Sequence, residues 1–406
     1  MIEKIGTCSM AFELFKESSR IIVTCNKRIA PYLEQEIKDL GYVPEGVYPT
    51  RIELMGTMLD CIRLNLNLRC ASQVHFSLRQ LRAKNGDELY RALEEIPWED
   101  IIPNEGYFSV TCNVDTPSIN NTMFVNVKVK DAIVDRIRHK TGTRPNSGPN
   151  MDKAAVYLYW KDDEAEVFID TSGETLSKHG YRKIPGKAPM LEALVAATLY
   201  ATKWDKVSPF VNPMCGSGTI AVEAALIATQ RKPGLFRRNY SFMHFVGFEI
   251  GSYHREFQKL KDQVKEVPNL AIYATDISED AVNVTKVNAE IAGVAEYIKT
   301  KKCDFADTYV PEGASGVVYF NPEYGERLGE VSELEATYKR MGDFLKQQCK
   351  GYTGYIFTGN LDLAKKIGLR ASKRIEFYNA KIDCRLLEYE LYAGTRDKDK
   401  LLKAES

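Results

Sequence analysis

The chain lacks the marks of several large protein classes. No stretch approaches the roughly 18–20 apolar residues needed to cross a bilayer. The first 20 residues, with Glu3, Glu13 and Glu17, do not read as a secretory leader. Nine cysteines lie scattered, with no Cys-x-x-Cys pair and no histidine at ligand spacing, which predicts reduced thiols, a cytoplasmic setting and no metal. No repeat or low-complexity segment stands out. An excess of one charge is missing too: 55 basic and 55 acidic residues give a formal net charge of zero. A nucleic-acid partner would therefore be held by a local basic patch, not a global field. The 406 residues are enough for two or three domains with ample core.

What is present centres on two short motifs. An apolar run at 207–211 reads as a buried strand and leads into Asn212-Pro213-Met214-Cys215-Gly216-Ser217-Gly218-Thr219; an Ala-rich run at 220–227 then reads as a helix. A strand, a Gly-x-Gly turn and a helix put glycine where the backbone bends and a ligand comes close, with free helix N–H groups beside it. The same pattern also serves as a plain tight turn, and it lacks the third glycine of a dehydrogenase fingerprint. Residues 316–320 read as a second buried strand ending in Asn321-Pro322-Glu323-Tyr324-Gly325. That run offers an amide oxygen, a stiff prolyl carbonyl and an aromatic face. Together they suit a planar base with an exocyclic amine: Asn321 and Pro322 accept its N–H groups while Tyr324 stacks on the ring.

The pair resembles the motifs of Rossmann-type S-adenosylmethionine-dependent amino-methyltransferases. With Asp170-Thr171-Ser172-Gly173-Glu174-Thr175-Leu176, Gly180-Tyr181-Arg182 and Ala188-Pro189-Met190-Leu191-Glu192, nearly the whole chain is similar to the THUMP-domain RNA methyltransferases. In particular it resembles the large-subunit ribosomal RNA guanine-N2 enzymes, which are often labelled adenine-specific DNA methylases. The resemblance implies an α/β fold: a Rossmann-like class I domain with a mostly parallel seven-stranded sheet and a C-terminal antiparallel hairpin, preceded by an α+β ferredoxin-like and THUMP region. The expected division is a ferredoxin-like subdomain at 1–58, a THUMP domain at 59–169, the methyltransferase domain at 170–395 and a disordered tail at 396–406. With the chain stopping at residue 406, the second methyltransferase often fused to this family is expected to be absent.

Within that frame the cofactor, S-adenosylmethionine, is expected to lie against Asn212, Pro213, Cys215, Gly216, Ser217, Gly218 and Thr219, and to touch Asn321. Asp276 ends a strand at 271–275, where an acid accepts both ribose hydroxyls; its other reading is a helix cap. Ile277 would pack on the adenine, and Asp304 would accept from the adenine amine with Phe305 alongside. Some relatives carry aspartate in place of Asn212, and most have proline in place of Glu323. The Glu323 side chain either points away or accepts from the N1–H edge of guanine. Cys215 lines the site without a base partner, so no covalent intermediate is expected.

RNA contact is expected from a helix at 125–140, where Lys128, Lys130, Arg136, Arg138, Lys140 and Arg144 cluster, and from Arg182 in a basic linker. A solvated helix face is the alternative for the cluster. Relatives usually have arginine where His179 stands, which puts a phosphate contact there in doubt. The stretch at 229–252, with Arg237, Arg238, Tyr240, Phe242 and Phe245, suits either an RNA-facing insertion or a packed excursion.

The leading function is methyl transfer to guanine N2 in 23S rRNA. A transfer RNA guanine, adenine N6 in DNA, and a non-catalytic RNA-binding protein that keeps cofactor affinity are the alternatives. Structured RNA is the expected partner, with monomer and homodimer both open.

Overall fold

The computed structural model describes residues 13–117, 119, 121–184, 190–313, 315–325 and 331–392. The expectations for residues 187–189 and for the tail from 396 onward lie outside them. The chain divides into two compact units: Met1–Thr24, Ile37–Leu176 and Arg237–Lys259 form one, and Cys25–Glu36, Ser177–Phe236 and Leu260–Ser406 the other. Among the described residues no helix is long and apolar enough to cross a membrane, and no group of three or more His, Cys, Asp or Glu could hold a metal ion.

The first unit is one eight-stranded sheet. Its strands are β1 (Ser18–Thr24), β2 (Gly46–Tyr48), β3 (Arg51–Thr57), β4 (Gln73–Arg82), β5 (Tyr107–Asp115), β6 (Asn146–Ser147), β7 (Ala154–Lys161) and β8 (Glu164–Asp170), in the order β2-β3-β1-β4-β8-β7-β5-β6. β4 makes it continuous: Phe76 lies opposite Ile21 of β1 and opposite Ile169 of β8. The division expected at 58/59 thus falls between two strands of a single sheet. Strand alternation sends Ile21, Val23, Val74, Phe76, Val156, Leu158, Val167 and Ile169 to one face, each at most 1% exposed. Helices Met58–Asn67, Gly86–Glu94 and Thr122–Thr141 pack on this sheet. The first of these starts where Thr57 and Asp60 close a reciprocal capping box, worth about 1 kcal/mol. Of the 229–252 stretch, residues 237–252 lie in this unit and pack on it through aromatic side chains. Tyr240, Phe242 and Phe245 are buried; Arg237 donates to the Ser172 carbonyl at 2.7 Å and Arg238 lies 4.5 Å over the Phe257 ring.

The second unit holds β9 (Phe210–Pro213), β10 (Ile272–Asp276), β11 (Ile298–Lys302), β12 (Val317–Phe320), β13 (Thr353–Thr358), β14 (Lys373–Asn379) and β15 (Ile382–Glu390), in the order β11-β10-β9-β12-β13-β15-β14. The first five are parallel; β15 runs antiparallel to β13 and β14. Strands β9 and β12 are buried at every position, as parallel strands covered on both faces must be. They are hydrogen-bonded neighbours, Phe210 beside Val317 and Val211 beside Val318. The chain leaves β9 toward β10 and β11 on one side, then returns to β12 on the other. A topological switch point of this kind opens a crevice beyond the carboxyl ends of the two strands.

Candidate active site

Because β9 and β12 are adjacent, the loops that follow them, 212–219 and 321–325, leave the sheet side by side. Asn212 ties the two strand ends: its amide nitrogen donates to the Tyr319 carbonyl at 2.9 Å. An aspartate could not make that bond. The Asn212 amide oxygen is buried without a partner.

The turn after β9 bends through left-handed residues at Met214 (φ 57°), Gly216 (φ 57°) and Gly218 (φ 78°) before the helix Thr219–Ala228 begins. The helix Glu279–Ile291 braces it: Thr285 Oγ1 donates to the Gly216 carbonyl at 3.0 Å, and Asn288 Nδ2 donates to that of Ser217 at 3.0 Å. A Cβ on Gly218 would sit 2.6 Å from Thr285 Cγ2. Gly218→Ala combines that clash with a disfavoured φ, and should cost about 2–4 kcal/mol. The expected readout is a fall of roughly 5–15 °C in melting temperature by scanning calorimetry. Gly216 differs: nothing lies within 4 Å of where its Cβ would be, so space is open beside the turn.

Asp276, at the end of β10, closes this side. Its Oδ2 accepts the Gly216 N–H at 2.9 Å and its Oδ1 the Ser278 N–H at 2.9 Å. The cap of the following helix is Ser278, whose hydroxyl accepts the Ala281 N–H, so Asp276 is not the cap. Ile277 is 72% exposed, an apolar side chain standing in water next to that acid. Cys215 is buried, and burial pushes its thiol up to about 12. It therefore stays protonated at neutral pH and is no nucleophile. Native protein is expected to resist iodoacetamide at Cys215 at pH 8, as peptide mapping would show.

Phe305 is committed elsewhere, and Asp304 is tied down at one of its two oxygens. Burial pushes the Asp304 carboxyl up, but the Ala306 amide and Arg340 outweigh it and hold the group below its ordinary value. Both bonds, 2.9 Å and 2.7 Å, fall on Oδ1. Phe305 is 7% exposed, edge-on to Phe320 and Phe344 in the core, with Arg340 4.8 Å over its ring. The expectation that Phe305 lies alongside an adenine is corrected: its face is covered.

In the second loop, neighbouring carbonyls are tied down and two acceptors are left over. Tyr338 donates its hydroxyl to the Glu323 carbonyl at 3.2 Å, and Asn360 Nδ2 donates to that of Tyr324 at 3.3 Å. The Asn321 amide oxygen is shielded from solvent and has no partner. Among the described residues nothing donates to the Pro322 carbonyl. The half-buried Tyr324 ring rests on Gly359, where an added Cβ would meet it at 3.2 Å and Ile382 at 2.7 Å. Asn379 Nδ2, on the last hairpin, donates to the Tyr324 hydroxyl at 2.9 Å. Glu323 presents an exposed side chain.

Asn360, Gly359, Asn379, Thr285, Asn288 and Arg340 carry no signal in the sequence. None falls within a motif, and each matters through a neighbour distant in the chain.

One basic expectation changes, and the doubt over His179 agrees with its burial. Arg182 is a buried brace, not a phosphate ligand: Nη1 donates to the Met190 carbonyl at 2.7 Å and to Thr219 Oγ1 at 3.1 Å, and Nη2 pairs with Glu192 at 3.0 Å. His179 is fully buried with its Nδ1 2.7 Å from Glu223 Oε1, out of reach of any phosphate. On the THUMP helix, Arg136 grips the Glu99 carboxylate with two nitrogens, Lys128 pairs with Asp87 and Arg138 with Asp135. Lys140 and Arg144 are exposed and Lys130 is half-exposed.

Five parallel strands closed by an antiparallel hairpin, with a glycine turn after the first and an acid after the second, define a class I methyltransferase fold. Residues 179–388 match the RMKL-like methyltransferase domain, 83–170 the THUMP domain and 20–75 the RlmL ferredoxin-like domain. The chain belongs to the RMKL-like methyltransferase family. It is 32% identical to ribosomal RNA large subunit methyltransferase K/L of Syntrophotalea carbinolica, over 92% of this chain and 53% of that protein. The slr0064 protein of Synechocystis sp. is 31% identical over 88% of this chain and 93% of its own length. The chain thus spans about half the length of the K/L relatives it matches. Among solved structures, SMU.472 in complex with SAH superposes with a TM-score of 0.84 at 26% identity, covering 94% of this chain and all of that one. A Listeria monocytogenes protein named as a predicted N6-adenine-specific DNA methylase gives 0.83 at 29% identity, covering 92% and 97%.

Proposed function

We propose that the chain methylates the exocyclic amine of an RNA base, with guanine N2 in large-subunit ribosomal RNA as the target. The observation that carries this reading is the pair of acceptors in the 321–324 loop, Asn321 Oδ1 and the Pro322 carbonyl, to which no described residue donates, beside a glycine turn with open space and a half-buried acid. The names of the K/L relatives and the THUMP domain support RNA as the substrate.

The residues fit S-adenosylmethionine. Gly216 leaves room for its backbone, Asp276 keeps lone pairs for the ribose hydroxyls, and Ile277 offers an apolar surface for the adenine. When bound, the cofactor supplies a methyl group on a positively charged sulfur. An aromatic amine is a weak nucleophile because its lone pair is delocalised into the ring. Acceptance of its two N–H bonds by Asn321 Oδ1 and the Pro322 carbonyl favours a pyramidal nitrogen with its lone pair directed outward. Positioning of this kind supplies several kcal/mol, up to roughly 7–11 in ideal cases. A base that leaves its stack costs a few kcal/mol; stacking on Tyr324, roughly 1–3 kcal/mol, offsets much of that.

Mass spectrometry of nucleosides from rRNA and tRNA, with and without the gene, tests the reading. Loss of 2-methylguanosine from large-subunit RNA alone is expected; an unchanged rRNA profile would refute it. Glu323 is exposed in the same loop, and we infer that it accepts from guanine N1–H, which adenine lacks. An unchanged guanine-to-adenine preference in Glu323→Pro would remove that role.

Asn379 acts on this site through Tyr324. Asn379→Ala should lower kcat roughly 10- to 100-fold by loosening the ring, with cofactor affinity within twofold of wild type by calorimetry. A matching loss of cofactor affinity would point to general unfolding of the hairpin instead.

A further inference from the structure

The open face of the eight-stranded sheet holds a cavity of about 1070 Å³ that methyl transfer does not use. Its lining follows from the pleat. The alternation that buries Ile21, Phe76, Val156 and Ile169 on one side turns Arg20, His75, Tyr157 and Phe168 to the other. A register shift between Ser77 and Arg79 keeps Gln80 and Arg82 on that same side.

At the centre, the His75 ring lies on Tyr157 with centroids 4.5 Å apart and planes 19° from parallel; Phe168 tilts against both. His75 is 4% exposed, and its Nδ1 has no partner. Leaving such an atom unpaired costs about 1–3 kcal/mol. Burial lowers the pKa of His75 against the pull of Asp170, so the ring is neutral.

The charges here do not suit phosphate. Arg20 is held between Glu53 and Glu166, Arg51 donates to Glu53 at 2.8 Å, and Ser77 donates to Glu166. The remaining cations of the lining, Arg82 and Lys161, are exposed among Asp162, Asp163 and Glu164, so phosphate meets no excess of positive charge; the surface offers aromatic faces and the amides of Gln80 and Asn113, the second bonded to the Tyr157 side chain. Asn113 stands beside the half-exposed Tyr159 in register, and Thr111 beside Tyr157.

We propose that this cavity binds an unstacked nucleobase, which stacks on the face of Tyr157 that His75 leaves open and is read at its edge by Gln80 and Asn113. Its volume lies at the upper end of the roughly 300–1,000 Å³ that holds a drug-sized ligand. The base can belong to an unpaired residue of an RNA strand or to a free nucleotide. The proposal draws on the methyl-transfer reading only for RNA as a partner. It is tested by binding alone, without cofactor or turnover, so the two readings fail separately.

The experiment titrates the full chain into a fluorescently labelled, unstructured RNA oligonucleotide at several salt concentrations. Tyr157→Ala should weaken binding roughly 5- to 150-fold, with an unchanged dependence on salt because no phosphate contact is lost. Tyr157→Phe should bind as wild type does. Equal affinity for wild type and Tyr157→Ala overturns the proposal, as does a loss in Tyr157→Phe as large as in Tyr157→Ala. Should Tyr157→Ala fail to fold, wild-type protein crosslinked to 4-thiouridine RNA decides the matter: crosslinks within 154–161 support the site, and their absence overturns it. Competition by nucleoside monophosphates at the oligonucleotide's own affinity assigns the site to free nucleotide; competition by oligonucleotide alone assigns it to an RNA strand.

Discussion

Asn321→Ala is expected to cut methyl transfer by at least about 10²-fold while S-adenosylhomocysteine affinity stays within about threefold. The Asn321 amide oxygen is shielded from solvent and pairs with nothing among the described residues, so its loss breaks no bond seen in the structure and leaves fold stability near wild type. What goes is an acceptor for the amine, which acts where nitrogen develops positive charge, and removal of one such preorganised polar group costs roughly 10²–10³ in rate. Asn321→Asp is the informative partner. It keeps an acceptor but adds charge, and should retain more activity than alanine. Single-turnover transfer from labelled cofactor, with affinity read by calorimetry, separates the effects. Full activity in Asn321→Ala would end the proposed chemistry.

Asp276→Ala is expected to weaken cofactor binding by about 10²-fold or more. Hydrogen bonds to a charged group contribute roughly 1.5–3 kcal/mol each, and in the proposed function the carboxylate accepts two ribose hydroxyls. The loss reaches further, because Asp276 also accepts the Gly216 and Ser278 N–H groups at 2.9 Å each. The glycine turn therefore loosens in the same variant. Asp276→Asn keeps one acceptor oxygen and should fall between alanine and wild type. Calorimetric titration with S-adenosylhomocysteine measures all three; near wild-type affinity in Asp276→Ala would move the ribose elsewhere.

The legible part of this molecule was carried by local chemistry. The apolar runs before Asn212 and Asn321, the glycines of the turn and the acid at 276 announce themselves through neighbours within a few residues. The C-terminal antiparallel hairpin that the resemblance implies is β14 and β15. Residues whose roles depend on a distant partner were misread or missed. Arg182 and Phe305 carry suitable side chains for ligand contact, yet Glu192 and Thr219 take the first and a core cluster the second. The basic helix shows the same limit, since the partners of Arg136 and Lys128 lie 37 and 41 residues away in the chain.

By itself the sequence determined which segments become strands and helices, and where the backbone must turn sharply, since these follow from side-chain periodicity and from the φ angles a residue tolerates. The tertiary structure alone decided that β9 and β12 are neighbours and that β4 joins eight strands into one sheet. It alone decided which polar atoms stay unpaired, at Asn321 and His75. Pairing between strands is a choice among distant partners, and a buried polar atom is left over only once every other group has taken its own.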